Sequence, residues 1–395
     1  MGKSSFHFAW VLDEHDEERS RGITTDIAVN YFETKSRVVT LLDAPGHRDF
    51  IPNMISGTAQ ADAAILVVPA AKGEFESGFQ ADGQTKEHAI LARSLGVNQL
   101  ILAVNKMDTV EWSKDRFEEI VSQIVPFLTK SGFKESTVWS IPVSGFTGDN
   151  ILAPKDVRLT KWYKGPTLLE LIDQLQCPPR SRRSVDKPFR MSLSNVFKSQ
   201  SLGVAVCGKI ESGAVIPKDI LLLMPLKEAV GVKSIEFRGE SVGIAKAGDN
   251  VEIGLKDVAD SSKLLVGQIL CDPLLPVPMV TKFKAQIISM AYQVPVVKGT
   301  QVHRSLSNQT QGVLFTQNTS EPCTFSALYS VLGKSGEVLR RAPRAIPAQS
   351  NAIVEITCAR PVCLELFTDF REMGRFSIRR ANETIVVGIV TKIRA

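Results

Sequence analysis

"LILAVNKMD", residues 100–108, runs through five apolar residues and turns at once into the polar quartet Asn105-Lys106-Met107-Asp108. An apolar run without alternation reads as a strand buried on both faces, as in a parallel sheet covered by helices. The quartet then stands at the strand's carboxyl end, where ligands of open α/β sheets bind. Outward from it, "RVVTLLD" (37–43), "AAILVVP" (63–69) and "VWSIPVS" (138–144) read as further buried strands. "RDFIPNMISGTAQ", "GQTKEHAILARSLG" and "KDRFEEIVSQIVPFLTKSG" between them carry helical spacing. Strand followed by helix, repeated, predicts a parallel-type sheet with helices on both faces over the first 175 or so residues.

The residue types at the strand ends are chosen for one chemistry. Asn105 can hydrogen-bond a guanine ring edge, the Lys106 stem can cover the base, and the Asp108 carboxylate can accept from N1–H and the exocyclic amine together. Adenine presents the wrong donors and acceptors to such a carboxylate. In "DAPGHRDF" (43–50), Asp43 ends a strand where it can hold Mg²⁺, and Gly46 can offer its N–H to a γ-phosphate with no side chain in the way. His47 follows, placed to orient an attacking water. In "EERSRGITTD" (17–26) the Thr24 hydroxyl can ligate Mg²⁺, and in "VSGFTGDN" (143–150) Ser144 and Gly145 can meet the guanine carbonyl. Each string alone also fits an ordinary turn. Their order, with three at the ends of successive strands, is what a guanine-nucleotide fold requires.

Beyond the α/β region the texture changes. "CPPRSRRSVDKP" (177–188) reads as a linker, followed by short β-type runs with Gly punctuation: "GVAVCGKIESG", "ILLLMP", "GVKSIEFRG" and "AGDNVEIGL". A second Pro-rich boundary, "CDPLLPVPM" (271–279), precedes more β-type sequence ending in "ETIVVGIVTKI" (383–393). The expected layout is a first domain over 1–178, a β-barrel over 187–273 and a second β-barrel over 277–395. With 44% hydrophobic and 23% charged residues the chain is globular in composition. No apolar run approaches the roughly 20 residues that span a bilayer, and no signal-peptide core is present, so the expectation is a cytoplasmic protein away from membranes. Six cysteines, without a C-x-x-C pair, are expected to be reduced thiols. From residue 277 onward 15 Lys or Arg face 7 Asp or Glu, a balance of +8 against −3 for the rest. The basic third fits either RNA phosphates or solvated strand faces.

"MGKSS" at residues 1–5 mimics the end of a phosphate loop, but such a loop needs a buried strand and a first glycine ahead of it. Lys3 also stands only 21 residues before Thr24, too close for a loop helix and a switch segment between them. The stretch is therefore read as something other than the phosphate loop.

These residues resemble, across essentially the whole chain, the translational GTPases of the elongation factor 1-alpha group. The resemblance is carried by "GKSSFHFAWVLDEHDEERSRGITTDIAVNYFET", "DAPGHRDFIPNMISGTAQAD", "KGEFESGF", "GQTKEHAILARSLGV", "NKMD", "TKWYKGPTLLELID", "MGRFSIRR" and "TIVVGIVTKI". It implies an α/β GTPase domain followed by two β-barrels, with GTP/GDP and Mg²⁺ as cofactors. Thr24 and Asp43 would help hold the metal and Gly46 would sense the γ-phosphate. His47 would be catalytic, and Asn105, Lys106, Asp108, Ser144, Gly145 and Phe146 would surround the guanosine. In the family, "MGKxSFxxAWVLD" lies in the helical region before the first switch. The family's G-H-V-D-x-G-K-S-T loop, with its strand and helix, has no counterpart here, so the GTPase domain is expected to be truncated. Without that loop, affinity and rate are expected to fall by orders of magnitude.

"RPVCLELFTDFREMGRFSIRRANETIVVGIVTKI", "GEVLRRAPRAIPAQSNAIVEI" and "SVDKPFRMSLSNVFK" most resemble the HBS-one-like branch, which partners Pelota in ribosome rescue and mRNA surveillance. That branch implies a monomer that delivers a tRNA-mimicking protein to ribosomes, contacting ribosomal RNA and proteins. The competing readings are a release-factor-3-like or elongation-factor-1-alpha-like GTPase, or a docking module that does not hydrolyse GTP.

Overall fold

The computed structural model describes residues 24–80, 83–176, 185–290, 296–297, 301–302, 312–333, 335–380 and 383–393. "MGKSS" and the whole of "CPPRSRRS" (177–184) lie outside them. The chain forms two compact units, Met1–Pro179 and Arg180–Ala395.

In the first unit, β1 (Ala28–Glu33) and β2 (Val38–Asp43) make an antiparallel hairpin. Helix α1 (Ile51–Gln60) leads to β3 (Ala64–Pro69), and α2 (Glu74–Phe79) and α3 (Gln84–Leu95) lead to β4 (Leu100–Asn105). Helix α4 (Lys114–Lys130), β5 (Val138–Pro142), the short α5 (Val157–Thr160) and α6 (Leu168–Gln174) complete the unit. Strands β3, β4 and β5 pair in parallel with β4 in the middle, Pro69 opposite Asn105 and Val104 opposite Pro142.

The apolar run of β4 is explained by its two neighbours. Leu100, Leu102 and Val104 face a cluster with Ile120, Ile124 and Leu128 of α4 and Ala89 and Ala92 of α3. Ile101 and Ala103 face the other side, with Ile141, Val143 and the α6 residues Leu171 and Ile172. Both faces are dry, so alternation disappears from the sequence.

"RVVTLLD" forms its strand but not as a member of this sheet among the described residues. β2 pairs with β1 alone, and the hairpin reaches the sheet through Phe32 and Val39, which pack on the α6-side cluster. Its turn is tied to α6: Ser36 Oγ donates to Asp173 Oδ1 at 2.7 Å and Arg37 Nε to the Asp173 carbonyl at 3.0 Å. On β3, Ile65 and Val67 are 36% and 56% exposed although they sit on the face that α6 covers elsewhere.

The second unit holds two closed sheets. In the first, β6 (Arg190–Ser192), β8 (Gly203–Ser212), β9 (Ile220–Met224), β10 (Glu228–Phe237), β11 (Asn250–Lys256) and β12 (Ile269–Cys271) pair in the circular order β9-β12-β6-β8-β11-β10, with β7 (Asn195–Ser199) added on β8. In the second, β13 (Met279–Ser289), β14 (Gly312–Thr316), β15 (Thr319–Leu332), β16 (Asn351–Cys363), β17 (Arg375–Arg380) and β18 (Glu383–Ile393) close in the order β15-β14-β17-β18-β13-β16. Each ring of six leaves no open edge in its wall, which is how antiparallel sheets escape edge pairing. Where β8 crosses β6, a Cβ on Gly208 would stand 2.2 Å from the Ser192 carbonyl oxygen. Gly208→Ala is therefore expected to cost about 1–3 kcal/mol through forced backbone displacement, read as a lowered urea midpoint.

The two barrels share a seam. The Arg190 guanidinium, 3% exposed, donates from Nε to Glu365 Oε1 at 2.9 Å and from Nη1 to the Phe189 carbonyl. It also lies 5.0 Å from the Phe370 ring centroid. Asn318 donates to the Leu193 carbonyl and Thr319 to that of Gly267. The five described cysteines are free thiols, and burial pushes Cys207 up to about 11 and Cys358 and Cys363 up to about 12. Among the described residues no helix is long and apolar enough to cross a membrane.

Candidate functional site

The carboxyl ends of β4 and β5 lie side by side and are stitched together. Val143 N–H donates to the Val104 carbonyl at 2.8 Å, and Met107 N–H returns to the Val143 carbonyl at 3.2 Å. Asn105 is the clasp: its Oδ1 accepts from Lys106 N–H at 2.7 Å and from Gly145 N–H at 2.8 Å. This bond fixes the two loops that sequence reasoning placed around a base. Lys106 takes φ +61°, a left-handed conformation unusual for a residue with a side chain, and its carbonyl accepts from Thr109 Oγ1 at 2.7 Å. Met107, fully buried, anchors the 3₁₀ turn Met107–Val110.

Within that turn Asp108 Oδ1 is buried and has no hydrogen-bond partner. Buried carboxylate oxygens are rarely left unpaired, because the lost hydration costs free energy. An oxygen held this way at the mouth of a parallel sheet is an acceptor that a donor from outside the turn can satisfy.

The β5 loop is stiffened from behind. Ser144, fully buried, receives Thr147 N–H on its Oγ at 3.2 Å and bridges to Asp149. The Asp149 carboxylate accepts the N–H groups of Lys155 and Asp156 at 2.8 and 2.9 Å. Asn150, also fully buried and at φ +60°, donates to the Pro142 carbonyl at 2.8 Å. Nothing in the short string "GDN" marks Asp149 and Asn150 for this role in the sequence. Gly145 and Phe146 are exposed, Phe146 by 54%, on the open side of the clasp.

The other group of expected residues belongs to the β1–β2 hairpin. Register pairing sets Ala28 opposite Asp43, so the segment bearing Thr24 and the end of β2 share one end of the hairpin. Thr25 and Asp26 are fastened to α1, where Asn53 Nδ2 donates to the Thr25 carbonyl and to Asp26 Oδ1. A Cβ on Gly46 would meet nothing within 4 Å, which leaves open space beside its backbone. His47 caps the turn that follows: its Nδ1 accepts from Asp49 N–H at 3.3 Å and lies 3.5 Å from Asp49 Oδ2. In the neutral ring this places the proton on Nε2.

A parallel sheet ending in an Asn-Lys-x-Asp turn, followed by two six-stranded barrels, is the layout of a GTP-binding translation factor. The profile of the Elongation factor Tu GTP binding domain matches residues 2–178, and that of the GTP-eEF1A C-terminal domain-like family matches residues 282–391. Elongation factor 1-alpha of Hypocrea jecorina is 40% identical over 407 residues, covering all of this chain and 85% of that protein. Protein HBS1 of Drosophila melanogaster is 46% identical over 396 residues, covering all of this chain and 57% of that protein. The crystal structure of sup35 complexed with GMPPNP is 33% identical with a TM-score of 0.50, covering 93% of this chain and 84% of that one. The chain belongs to the elongation factor 1-alpha group of translational GTPases. It spans little more than half the length of the HBS1 relative.

Proposed function

We propose that the chain binds GTP and GDP through the clasp at the ends of β4 and β5, and that it serves the HBS-one-like branch of the family. The observation that carries the nucleotide reading is the buried, unpartnered Asp108 Oδ1 beside the Asn105–Gly145 bond. In this reading Asp108 accepts from the guanine edge, the Lys106 stem covers one face of the base, and Gly145 and Phe146 border the other side, held in place by the buried Ser144 beneath them. The 46% identity to Protein HBS1, against 40% for elongation factor 1-alpha, and the C-terminal sequence both favour that branch.

Thr24 and Asp43 offer a hydroxyl and a carboxylate, hard oxygen donors of the kind Mg²⁺ takes together with phosphate oxygens. The ion, when bound, neutralises charge on the phosphates. Gly46 offers its N–H to the γ-phosphate, and His47 orients a water for in-line attack once the ribosome fixes the turn. His47→Ala is expected to slow ribosome-stimulated hydrolysis by about 10²- to 10⁴-fold while nucleotide affinity stays unchanged. Equal hydrolysis by the variant removes His47 from the mechanism.

The partner in this reading is a Pelota-type protein that mimics tRNA, delivered to a stalled ribosome in the cytoplasm, and GTP hydrolysis then releases the carrier. The charge balance of +8 from residue 277 onward supports a phosphate-rich or acidic contact. A pull-down with the GTP-loaded chain is expected to recover Pelota. Recovery of a termination factor in its place contradicts the choice of branch.

A further inference from the structure

The segment "KGEFESGF" (72–79) is one of those that carry the family resemblance, and it lies outside the loops that follow β4 and β5. In the structure it forms α2 and the turn before it, and it is held with unusual care for a helix of six residues. Arg116 of α4, 5% exposed, threads under it: Nε donates to the Ala70 carbonyl at 2.8 Å, and the guanidinium pairs with Glu76 at 2.8 Å and Glu119 at 2.9 Å. The same guanidinium lies 5.5 Å from the Phe75 ring centroid. Phe75 is 2% exposed and stacks on Phe79, which meets Phe127 of α4 edge-on. Gly73 turns the chain at φ +86°, and its N–H donates to Glu76 Oε2 at 2.5 Å.

Of three consecutive residues, Phe75 is thus spent on the core and Glu76 on Arg116. Glu74 is directed elsewhere: its Oε2 accepts from Lys106 Nζ at 2.6 Å. Lys106 is the residue whose stem covers the base in the reading above, and its backbone is already fixed by Asn105 and by its left-handed φ. A lysine stem has four rotatable carbons, and a ligand that packs on a wandering stem must first order it. We infer that Glu74 is a positioning residue of the guanine site: it tethers the Lys106 ammonium so that the stem is laid out before the purine arrives. The inference rests on the guanine reading and adds to it a contact from outside the two base-binding loops.

Both partners are about half exposed, Lys106 at 50% and Glu74 at 52%. The tether is therefore modest in strength and sensitive to salt. The test uses the full 395-residue chain and a ribose-labelled fluorescent GDP, read by equilibrium anisotropy. Glu74→Gln is expected to weaken binding about 3-fold at about 50 mM salt, with wild type and variant converging near 1 M. Lys106→Met keeps an apolar stem and removes the charge, so in that background Glu74→Gln is expected to change nothing. The urea midpoint of Glu74→Gln should match wild type. Equal affinity of Glu74→Gln and wild type at low salt overturns the inference while leaving the guanine site standing. A loss that persists in the Lys106→Met background also overturns it, because it assigns Glu74 to the stability of α2. A chain that binds no guanine nucleotide at all overturns the site and the tether together.

Discussion

Asp108→Asn should exchange the base that the chain selects. The buried Asp108 Oδ1 has no hydrogen-bond partner among the described residues, so its acceptor capacity is open to a ligand. In the variant, one carboxylate oxygen becomes an N–H₂ group that faces the exocyclic amine of guanine, donor against donor. The loss in GDP and GTP affinity is expected to be on the order of 10⁴-fold, in the range seen when a site built for a hydrogen bond meets a ligand that cannot make it. Xanthine carries a carbonyl where guanine carries the amine, so xanthosine diphosphate should gain what GDP loses. The fold should be unaffected, since the core anchor of the turn is Met107. Competition between the two nucleotides for wild type and variant measures the exchange, and a variant that weakens both nucleotides alike would speak against base reading by this residue.

The second large effect lies at the seam between the barrels. Glu365→Ala leaves the Arg190 guanidinium, 3% exposed, without its carboxylate in a place that water does not reach. Breaking a buried pair from one side costs about 3–5 kcal/mol, a large share of the roughly 5–15 kcal/mol by which domains are stable. Burial pushes the Glu365 carboxyl up, against the pull of Arg190. Replacing both partners, Arg190→Met with Glu365→Leu, should recover most of the loss, because no charge is then stranded. The last of the four tryptophans is Trp162, so tryptophan fluorescence carries no signal from the second unit, Arg180–Ala395. Glu365→Ala should lower the urea midpoint seen by far-ultraviolet circular dichroism and leave the fluorescence midpoint in place. Coincident shifts in both would mean that the two units unfold as one.

What could be read from sequence followed from how local its cause was. β4 was legible because helices cover both its faces, and the resulting apolar run needs no knowledge of the partners. Asn105 and Asp108 were legible because a polar quartet directly after such a run has a known place at the sheet's rim. β1 was not: Val29 and Tyr31 are 41% exposed and its partner is the next strand, so neither period nor burial marks it. α2 was missed as a helix because six residues containing Gly78 have no propensity to form one, and its support comes from Arg116, some forty residues on. The barrels were legible as β-rich stretches but not as rings, since closure depends on pairs such as β9 with β12 that are distant in sequence. The roles of Asp149 and Asn150 were hidden for a related reason. Both act on backbone groups of their own loop and its neighbours, and the short polar string "GDN" fits any turn.

The positions of Ile65 and Val67 are the point where sequence and structure disagree in an informative way. The sequence gives β3 the composition of an interior strand, and the structure leaves these two side chains partly in water on a face that α6 covers beside β4 and β5. The carboxyl ends of β4 and β5 are ordered all the same: Asn105 joins their two loops and Asp149 ties the turn after β5, while Glu74 reaches Lys106 from the segment that follows β3.

The central claim is that this chain distinguishes guanine from adenine through the ends of β4 and β5. Its most direct test is equilibrium competition on the full chain: fluorescent GDP with Mg²⁺, displaced in turn by unlabelled GDP, ADP and xanthosine diphosphate. Displacement by GDP alone, at concentrations where ADP and xanthosine diphosphate have no effect, is the expected result. Displacement by ADP as effective as that by GDP would mean that the Asp108 carboxylate does not read the base, and the functional account would fall with it.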